Sequence, residues 1–391
     1  MIAGLDRSSD LLWPRAWIAT PFDRIGRMSL SRRRKSAARV ARAEGVDALL
    51  ITDLPDVRWL SGFTGSNAAL VVLCGKGPRT VLFTDGRYTA QAKAETAGIR
   101  VVIAAKSAVI AACEWMATAS VARCGFDEGN TTVATLKQMQ AATPAALRRK
   151  MFHPVGPLVA KLRWIKDAGE IAKMRAAAAL GCRLFEGILG HIHAGMTESA
   201  VAAHLEHAAR LAGAEAMSFP TIVASGERSA LPHGRATEAR LPRRGFVTLD
   251  FGVVLDGYFS DMTRTVHIGR PTAEERNVYD AVLEAQEAGV AAVRAGVSAG
   301  DVDEAARAVL RKAGLDQWFT HSTGHGVGLD IHEGPRLAAK QTQALEAGMV
   351  VTIEPGVYMP GKFGVRIEDM VLVTAKGGEI LTPCTKAWIE L

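Results

Sequence analysis

The chain has 391 residues, 48% of them hydrophobic and 22% charged, which describes a globular protein too long for one ordinary core and points to two domains. No apolar run approaches the roughly 20 residues needed to cross a membrane, and five widely spaced cysteines without a C-x-x-C exclude a disulfide scaffold or zinc ribbon and fit a reducing cytoplasm. The formal charge of +7 is concentrated at the start: residues 1–43 hold ten Lys/Arg against three Asp, leaving 37 basic and 37 acidic residues in the remainder. No nucleic-acid-binding module follows this basic arm, so it reads as a solvated extension rather than a contact for nucleic acid or lipid. It has neither a continuous apolar stretch nor a small-residue cleavage site, which makes it a poor signal peptide, and Met28 is an alternative start.

From Ser29 a basic helical segment is expected to run to Glu44 and Gly45. An apolar run follows at 46–51, and short apolar runs at 68–74 and 80–83, separated by Gly, Pro and Asp breaks, predict strands joined by tight turns. Ala-rich segments at 89–97 and 107–119 predict helices, and another helix is expected to close on the LRRK stretch near residue 150. GFTGSN lacks the Gly-Lys-Ser/Thr ending of a phosphate loop and reads as a turn, and TDGRY reads as a cap after a strand. These elements form an α/β domain. Asp167 and Glu170 make a capping box before an apolar helical stripe, and further helices are expected to start at Thr197, Thr272 and Ser298. With strands at 349–354 and 365–374, the second unit mixes helices and antiparallel strands, so the fold class is α+β. The expected organisation is an extension over 1–27, a first domain over 28–155 and a second over 156–391.

Residues 246–269 read FVTLDFGVVLDGYFSDMTRTVHIG, two β-branched runs around Asp256-Gly257, a dipeptide suited to a two-residue hairpin turn because both positions tolerate positive φ. That turn pairs Leu255 with Tyr258 and Asp250 with Thr263. Asp250 and Asp261 then share a face, with Cα atoms roughly 7–8 Å apart. They are either two solvated strand carboxylates or ligands of a shared metal.

His191, His193, His204 and His207 lack accompanying carboxylates and read as surface or capping residues. His321, His325 and His332 fall within twelve residues, in a run whose glycines at 324, 326 and 328 fit close backbone approach to a ligand. Glu354 and Glu368 each sit in an apolar β-branched run, where burial is costly unless the acid is paired or metal-bound. Arg366, two residues before Glu368, is a candidate partner for it. Four carboxylates and one imidazole, from Asp250, Asp261, His325, Glu354 and Glu368, suit hard divalent ions such as Mn²⁺, with Co²⁺, Fe²⁺ or Zn²⁺ as alternatives. The number of acids suits two ions.

The ordered set LDFG-x(8)-D, G-H-G-x-G, the EPG glutamate and RIED resembles the methionine-aminopeptidase-like, or pita-bread, metallopeptidases. Within them it is similar to the proline-specific Xaa-Pro aminopeptidases and Xaa-Pro dipeptidases. WLSGFTGSN followed by TDGRY resembles the creatinase/prolidase N-terminal domain, and the resemblance covers residues 28–391. It implies a pita-bread catalytic domain behind a smaller α/β domain, with those five residues as the dinuclear ligand set and Asp261 and Glu368 bridging. It further implies that His233 and His332 contact the substrate at the scissile bond, that Glu354 acts as general base, and that His321, Arg366 and Tyr358 are active-site residues. Phe219 and Tyr358 are candidates for the wall of a proline pocket. The implied activity is cleavage after an N-terminal residue that precedes proline, with restriction to dipeptides, or binding without turnover, as alternatives. The implied partners are a proline-containing peptide and a second copy of the chain, with no nucleic acid and no membrane.

Overall fold

A computed structural model of the protein describes residues 24–75 and 79–391, so residues 1–23 of the expected extension lie outside the described residues. The first domain runs α1 (Arg24–Ala43), β1 (Ala48–Ile51), α2 (Leu54–Ser61), β2 (Ala68–Leu73), β3 (Thr80–Asp85), α3 (Thr89–Glu95), β4 (Arg100–Ala104), α4 (Ala108–Thr118), β5 (Cys124–Asp127), α5 (Val133–Ala141) and β6 (Phe152–Val155). Its six strands form one mixed sheet in the order β4-β3-β2-β1-β5-β6. Near-continuous burial of β1, β2 and β3 reflects cover on both faces. Ala108, Ala112, Cys113 and Met116 of α4 cover one face, and Ala37, Ala38 and Ala41 of α1 cover the other.

Two expectations need correction here. DLPDVRWLS contains helix α2, where Pro55 marks a helix start rather than a break: the Asp53 side chain caps the Asp56 amide and proline occupies the first turn. The LRRK stretch is a series of turns, because α5 ends at Ala141 and Pro144 follows.

The second part begins with the connector helix α6 (Leu158–Arg163) and the long α7 (Ala168–Leu189), whose Asp167/Glu170 capping box forms as expected. α8 (Glu198–Leu211), β7 (Ala216–Met217), β8 (Ile222–Ser225), β9 (Gly245–Phe251), β10 (Val253–Leu255), β11 (Tyr258–Phe259) and β12 (Met262–Ile268) follow. After them come α9 (Ala273–Ala292), α10 (Ala299–Lys312), β13 (Gly324–Gly326), β14 (Glu333–Leu337), β15 (Val350–Ile353), β16 (Gly356–Met359), β17 (Phe363–Arg366), β18 (Asp369–Val373) and β19 (Gly378–Ile380). Short antiparallel sheets β12-β9-β8 and β14-β13-β15-β18-β19 form the floor. α7 and α8 share a core with β9 and β12, whereas α9 and α10 pack on β15, β17 and β18.

The hairpin forms in the expected register, Leu255 with Tyr258 and Asp250 with Thr263, and Asp256 and Gly257 both take positive φ of 50° and 71°. It is not one flat ribbon. At Gly252 it folds from one sheet into another, and a Cβ there would lie 1.7 Å from the Ser260 carbonyl oxygen, so only glycine permits the bend.

The two parts share a core. Val57, Leu60 and Phe63 of the first domain cluster with Val159, Met174, Tyr258 and Val327 of the second. Polar contacts reinforce it: Arg33 donates to Asp167 at 2.7 Å, and Trp59 and Tyr258 both donate to Glu170, at 3.0 and 2.9 Å. No helix among the described residues is long and apolar enough to cross a membrane.

Candidate metal centre

Four of the five expected ligands lie at or beside strand ends, and the fifth, His325, lies beside a bulge. Asp250 is the penultimate residue of β9 and Asp261 directly precedes β12, so the hairpin register brings them together. His325 is the middle residue of β13. Glu354 follows β15, where Pro355 ends the strand. Glu368 occupies the gap between β17 and β18, which belong to different sheets, so the strand expected over 365–374 is broken at 367–368. That break places Glu368, whose amide donates to the Thr263 carbonyl at 3.1 Å, beside the hairpin.

Ligand atoms of Asp261, His325 and Glu368 all lie within 4.8 Å of one another. His325 Nε2 is 3.7 Å from Asp261 Oδ2 and 3.5 Å from Glu354 Oε1. The ring's other nitrogen, Nδ1, lies 2.9 Å from the Gly326 carbonyl, which only accepts, so Nδ1 carries the proton. Burial lowers the His325 pKa to about 4, so the ring is neutral and the Nε2 lone pair faces carboxylate oxygens. A lone pair facing two carboxyl groups at these distances calls for a proton or a cation between them.

Charge makes the same demand. Asp250, Asp261 and Glu368 are buried and Glu354 is nearly so, with one guanidinium, Arg366, among them. Burial first, then Glu368, Asp250 and Glu354, hold Asp261 well above the usual carboxylate range, and burial with Glu354 and Asp250 does the same to Glu368. Burial raises Glu354 to about 8, partly opposed by Arg366. Asp250 Oδ1 is buried with no hydrogen-bond partner among the described residues. An orphaned carboxylate oxygen, an outward-facing imidazole lone pair and crowded acids are the donor set of a hard divalent cation.

Neighbouring side chains orient the ligands. Thr263 donates to Glu368 at 2.7 Å and Thr352 to Glu354 at 3.2 Å. Each threonine lies two residues from a ligand on the same strand course, so a polar residue in phase with an acid inside an apolar run was the available signal. Arg366 pairs with Asp250, at 2.5 Å, rather than with Glu368 as expected. The strand break explains the difference, since residues 366 and 368 do not share one pleat. Its guanidinium also donates to Thr263 Oγ1 at 3.0 Å, the Pro232 carbonyl at 3.1 Å and Tyr358 at 2.7 Å.

The histidines divide into two groups. His321 Nδ1 lies 2.8 Å from the Ser322 carbonyl and its Nε2 2.9 Å from the Tyr358 hydroxyl. Burial lowers its pKa to about 4, so the proton is on Nδ1 and Tyr358 donates to Nε2 while accepting from Arg366. Both ring nitrogens of His321 and both functions of the buried Tyr358 hydroxyl are thus taken. His233 and His332 are exposed at the mouth, and the His332 ring meets His325 edge-on at 4.5 Å. Burial, then His233, lowers the His332 pKa. Phe219 is half-buried between β7 and β8. His191, His193, His204 and His207 are exposed and outside the centre. The glycines of the 324–328 run make room for protein rather than for a ligand: Cβ atoms at Gly324 and Gly326 would meet the Thr352 and Gly334 carbonyl oxygens at 1.9 and 2.1 Å.

A carboxylate-rich cluster with one imidazole, set between paired sheets, fits a divalent-metal centre. Comparison with known proteins narrows the class: residues 172–375 match metallopeptidase family M24 and residues 33–165 match the creatinase/prolidase N-terminal domain. The chain belongs to metallopeptidase family M24, with a pita-bread catalytic domain behind a creatinase-type N-terminal domain. It is 39% identical to an uncharacterised peptidase of Bacillus subtilis over 89% of this chain and 96% of that one. It is 42% identical to the Xaa-Pro dipeptidase of Pyrococcus furiosus over 60% of this chain and 67% of that one. Among solved structures, an Xaa-Pro dipeptidase from Bacillus anthracis is 38% identical with a TM-score of 0.88, covering 92% of this chain and all of that one. An X-Pro aminopeptidase from Thermotoga maritima is 36% identical with a TM-score of 0.82, covering 90% of this chain and all of that one.

Proposed function

We propose that the protein hydrolyses the bond between an N-terminal residue and a following proline, using two divalent ions held by Asp250, Asp261, His325, Glu354 and Glu368. The observation that carries this reading is the His325 Nε2 lone pair facing Asp261 and Glu354 inside a buried acid cluster. Asp261, His325 and Glu368, whose ligand atoms lie within 4.8 Å of one another, would hold the metal together with Asp250 and Glu354, and Mn²⁺ is the expected ion. When bound, such ions acidify water and polarise the scissile carbonyl.

The side chains then divide the proton work. Glu354 accepts the proton of the attacking water as the new C–O bond forms. His233 and His332, at the mouth, donate hydrogen bonds to the developing oxyanion, and the proton that Glu354 took from the water passes to the proline nitrogen as the C–N bond breaks. That nitrogen has no N–H in the substrate and needs a proton to leave as a secondary amine. Arg366 holds Asp250 and the Pro232 carbonyl next to His233, and Tyr358 and His321 brace the guanidinium from behind. His321 and Tyr358 are therefore assigned positioning roles rather than direct contact with substrate.

Two substrate lengths are carried forward. The sequence favours an aminopeptidase acting on longer peptides. Similarity to named Xaa-Pro dipeptidases supports restriction to dipeptides at least as well. Purified protein with Mn²⁺, offered Gly-Pro, Arg-Pro-Pro and Gly-Ala, separates them. Release of arginine from Arg-Pro-Pro identifies the aminopeptidase, and hydrolysis of Gly-Pro alone identifies the dipeptidase. Hydrolysis of neither proline peptide, or equal hydrolysis of Gly-Ala, contradicts the proposal. The expected assembly, by family resemblance, is a homodimer.

A further inference from the structure

A buried charge cluster between the two domains takes no part in the chemistry described above. Arg163, the last residue of the connector helix α6, is 3% exposed. Its Nη1 donates to Asp56 of α2 at 2.6 Å, and its Nη2 donates to Glu333 at 2.8 Å and to Asp330. Lys166 Nζ donates to the other oxygen of Glu333 at 3.0 Å. Glu333 also accepts from the backbone amides of Leu329 and Asp330, at 3.0 and 3.2 Å, which folds the 328–333 loop around its carboxylate.

The location of that loop matters. It joins β13, which carries His325, to β14, and its last residue before Glu333 is His332. Glu333 pairs with Gly326 next to a bulge that sets His325 opposite Arg336, and from the residue before Glu333 the His332 ring meets the His325 ring at 4.5 Å. The His332 ring itself forms no hydrogen bond among the described residues, so its position follows from its backbone. That backbone is set by a carboxylate which stays ionised in the interior only because two cations flank it. Opposed by burial, Lys166 and Arg163 still hold Glu333 below its ordinary pKa.

We propose that Arg163 and Lys166 are positioning residues for His332, and that through Asp56 the N-terminal domain takes part in setting the catalytic geometry. The proposal rests on the role given to His332 under Proposed function. A clamp whose only task is to join the domains has the same contacts, so the test needs a readout that this simpler role does not move.

The experiment uses full-length, metal-loaded protein and the variants Arg163→Lys, His332→Ala and their combination, with Asp56→Asn as the milder substitution. Asp56→Asn keeps an oxygen acceptor for Arg163 and removes only the charge. Arg163→Lys is expected to speed amide exchange at Leu329 and Asp330 by about 10-fold or more, with β9 and β12 unchanged. It is expected to lower kcat about 10-fold with His332 present, because small misplacements of an acid–base group are costly. In the His332→Ala background the same substitution is expected to change kcat by less than about 2-fold. Asp56→Asn shifts both readouts in the same direction by a smaller amount. Equal losses in both backgrounds, or unchanged exchange at Leu329 and Asp330 in both Arg163→Lys and Asp56→Asn, overturn the proposal. The exchange arm needs no substrate, so unchanged exchange overturns the proposal even if no Xaa-Pro peptide is cleaved and the functional reading fails, whereas the kcat comparison in the two backgrounds separates positioning from a plain domain clamp.

Discussion

Replacing Asp261 by asparagine reverses sign with metal. The two side chains have nearly the same volume, so packing is preserved and charge alone changes. Ligand atoms of Asp261, His325 and Glu368 lie within 4.8 Å. At that spacing two ionised carboxylates repel by about 3 kcal/mol at an effective dielectric of about 20, with partial protonation absorbing some of it. Without metal, Asp261→Asn is therefore expected to stabilise the fold by about 1–3 kcal/mol, or about 2–12 °C in Tm for a domain of this size. With metal the balance inverts. An ion present at 100 to 1,000 times its Kd stabilises the wild type by about 3–4 kcal/mol, about 5–16 °C, and the variant loses this. Thermal unfolding in EDTA and in Mn²⁺ reads both halves, with metal content measured by mass spectrometry. The variant should melt above the wild type in EDTA and below it in Mn²⁺. A variant that melts lower in both conditions, or a wild type indifferent to Mn²⁺, refutes the reasoning.

Other outcomes follow from the same geometry. Thr263→Val removes the hydroxyl that donates to Glu368 and accepts from Arg366, so metal affinity should fall by about 10- to 100-fold with the fold kept, as titration calorimetry can show. Arg366→Met leaves Asp250 buried without its partner and should cost about 3–5 kcal/mol in urea unfolding of the metal-free protein. His321 should stay neutral down to about pH 5, with no titration of its ring resonances above that. Its folded pKa, about 4, lies below the unfolded value of about 6.5, so the unfolded chain binds more protons between them. Its contribution to stability is full above about pH 6.5, falls as pH drops towards 4, and amounts to about 3 kcal/mol. His321→Gln should flatten that part of the stability profile, and an unchanged profile contradicts the assignment.

Much of the centre was legible because local rules place it. Asp256-Gly257 admits one kind of turn, that turn sets the register, and the register alone puts Asp250 opposite Thr263 and near Asp261. Glu354 and Glu368 stood out as acids in apolar runs. The errors came where the chain changes direction for tertiary reasons. Nothing local announces that the strand breaks at Ile367 and Glu368, and the period-two argument therefore gave Arg366 the wrong partner. Pro55 looked like a break because a proline at a helix start and one in a turn carry the same local signal. The clamp around Glu333 was beyond sequence reasoning, because Arg163 and Lys166 are separated from it by 170 and 167 residues and only the packed domains bring them together.

The central claim is that five side chains converge on divalent metal. Anomalous diffraction from crystals grown with Mn²⁺ tests it directly. Two peaks are predicted at this cluster, with carboxylate oxygens of Asp261 and Glu368 reaching both and His325 Nε2 reaching one. Peaks placed elsewhere, or none at this cluster, contradict the account.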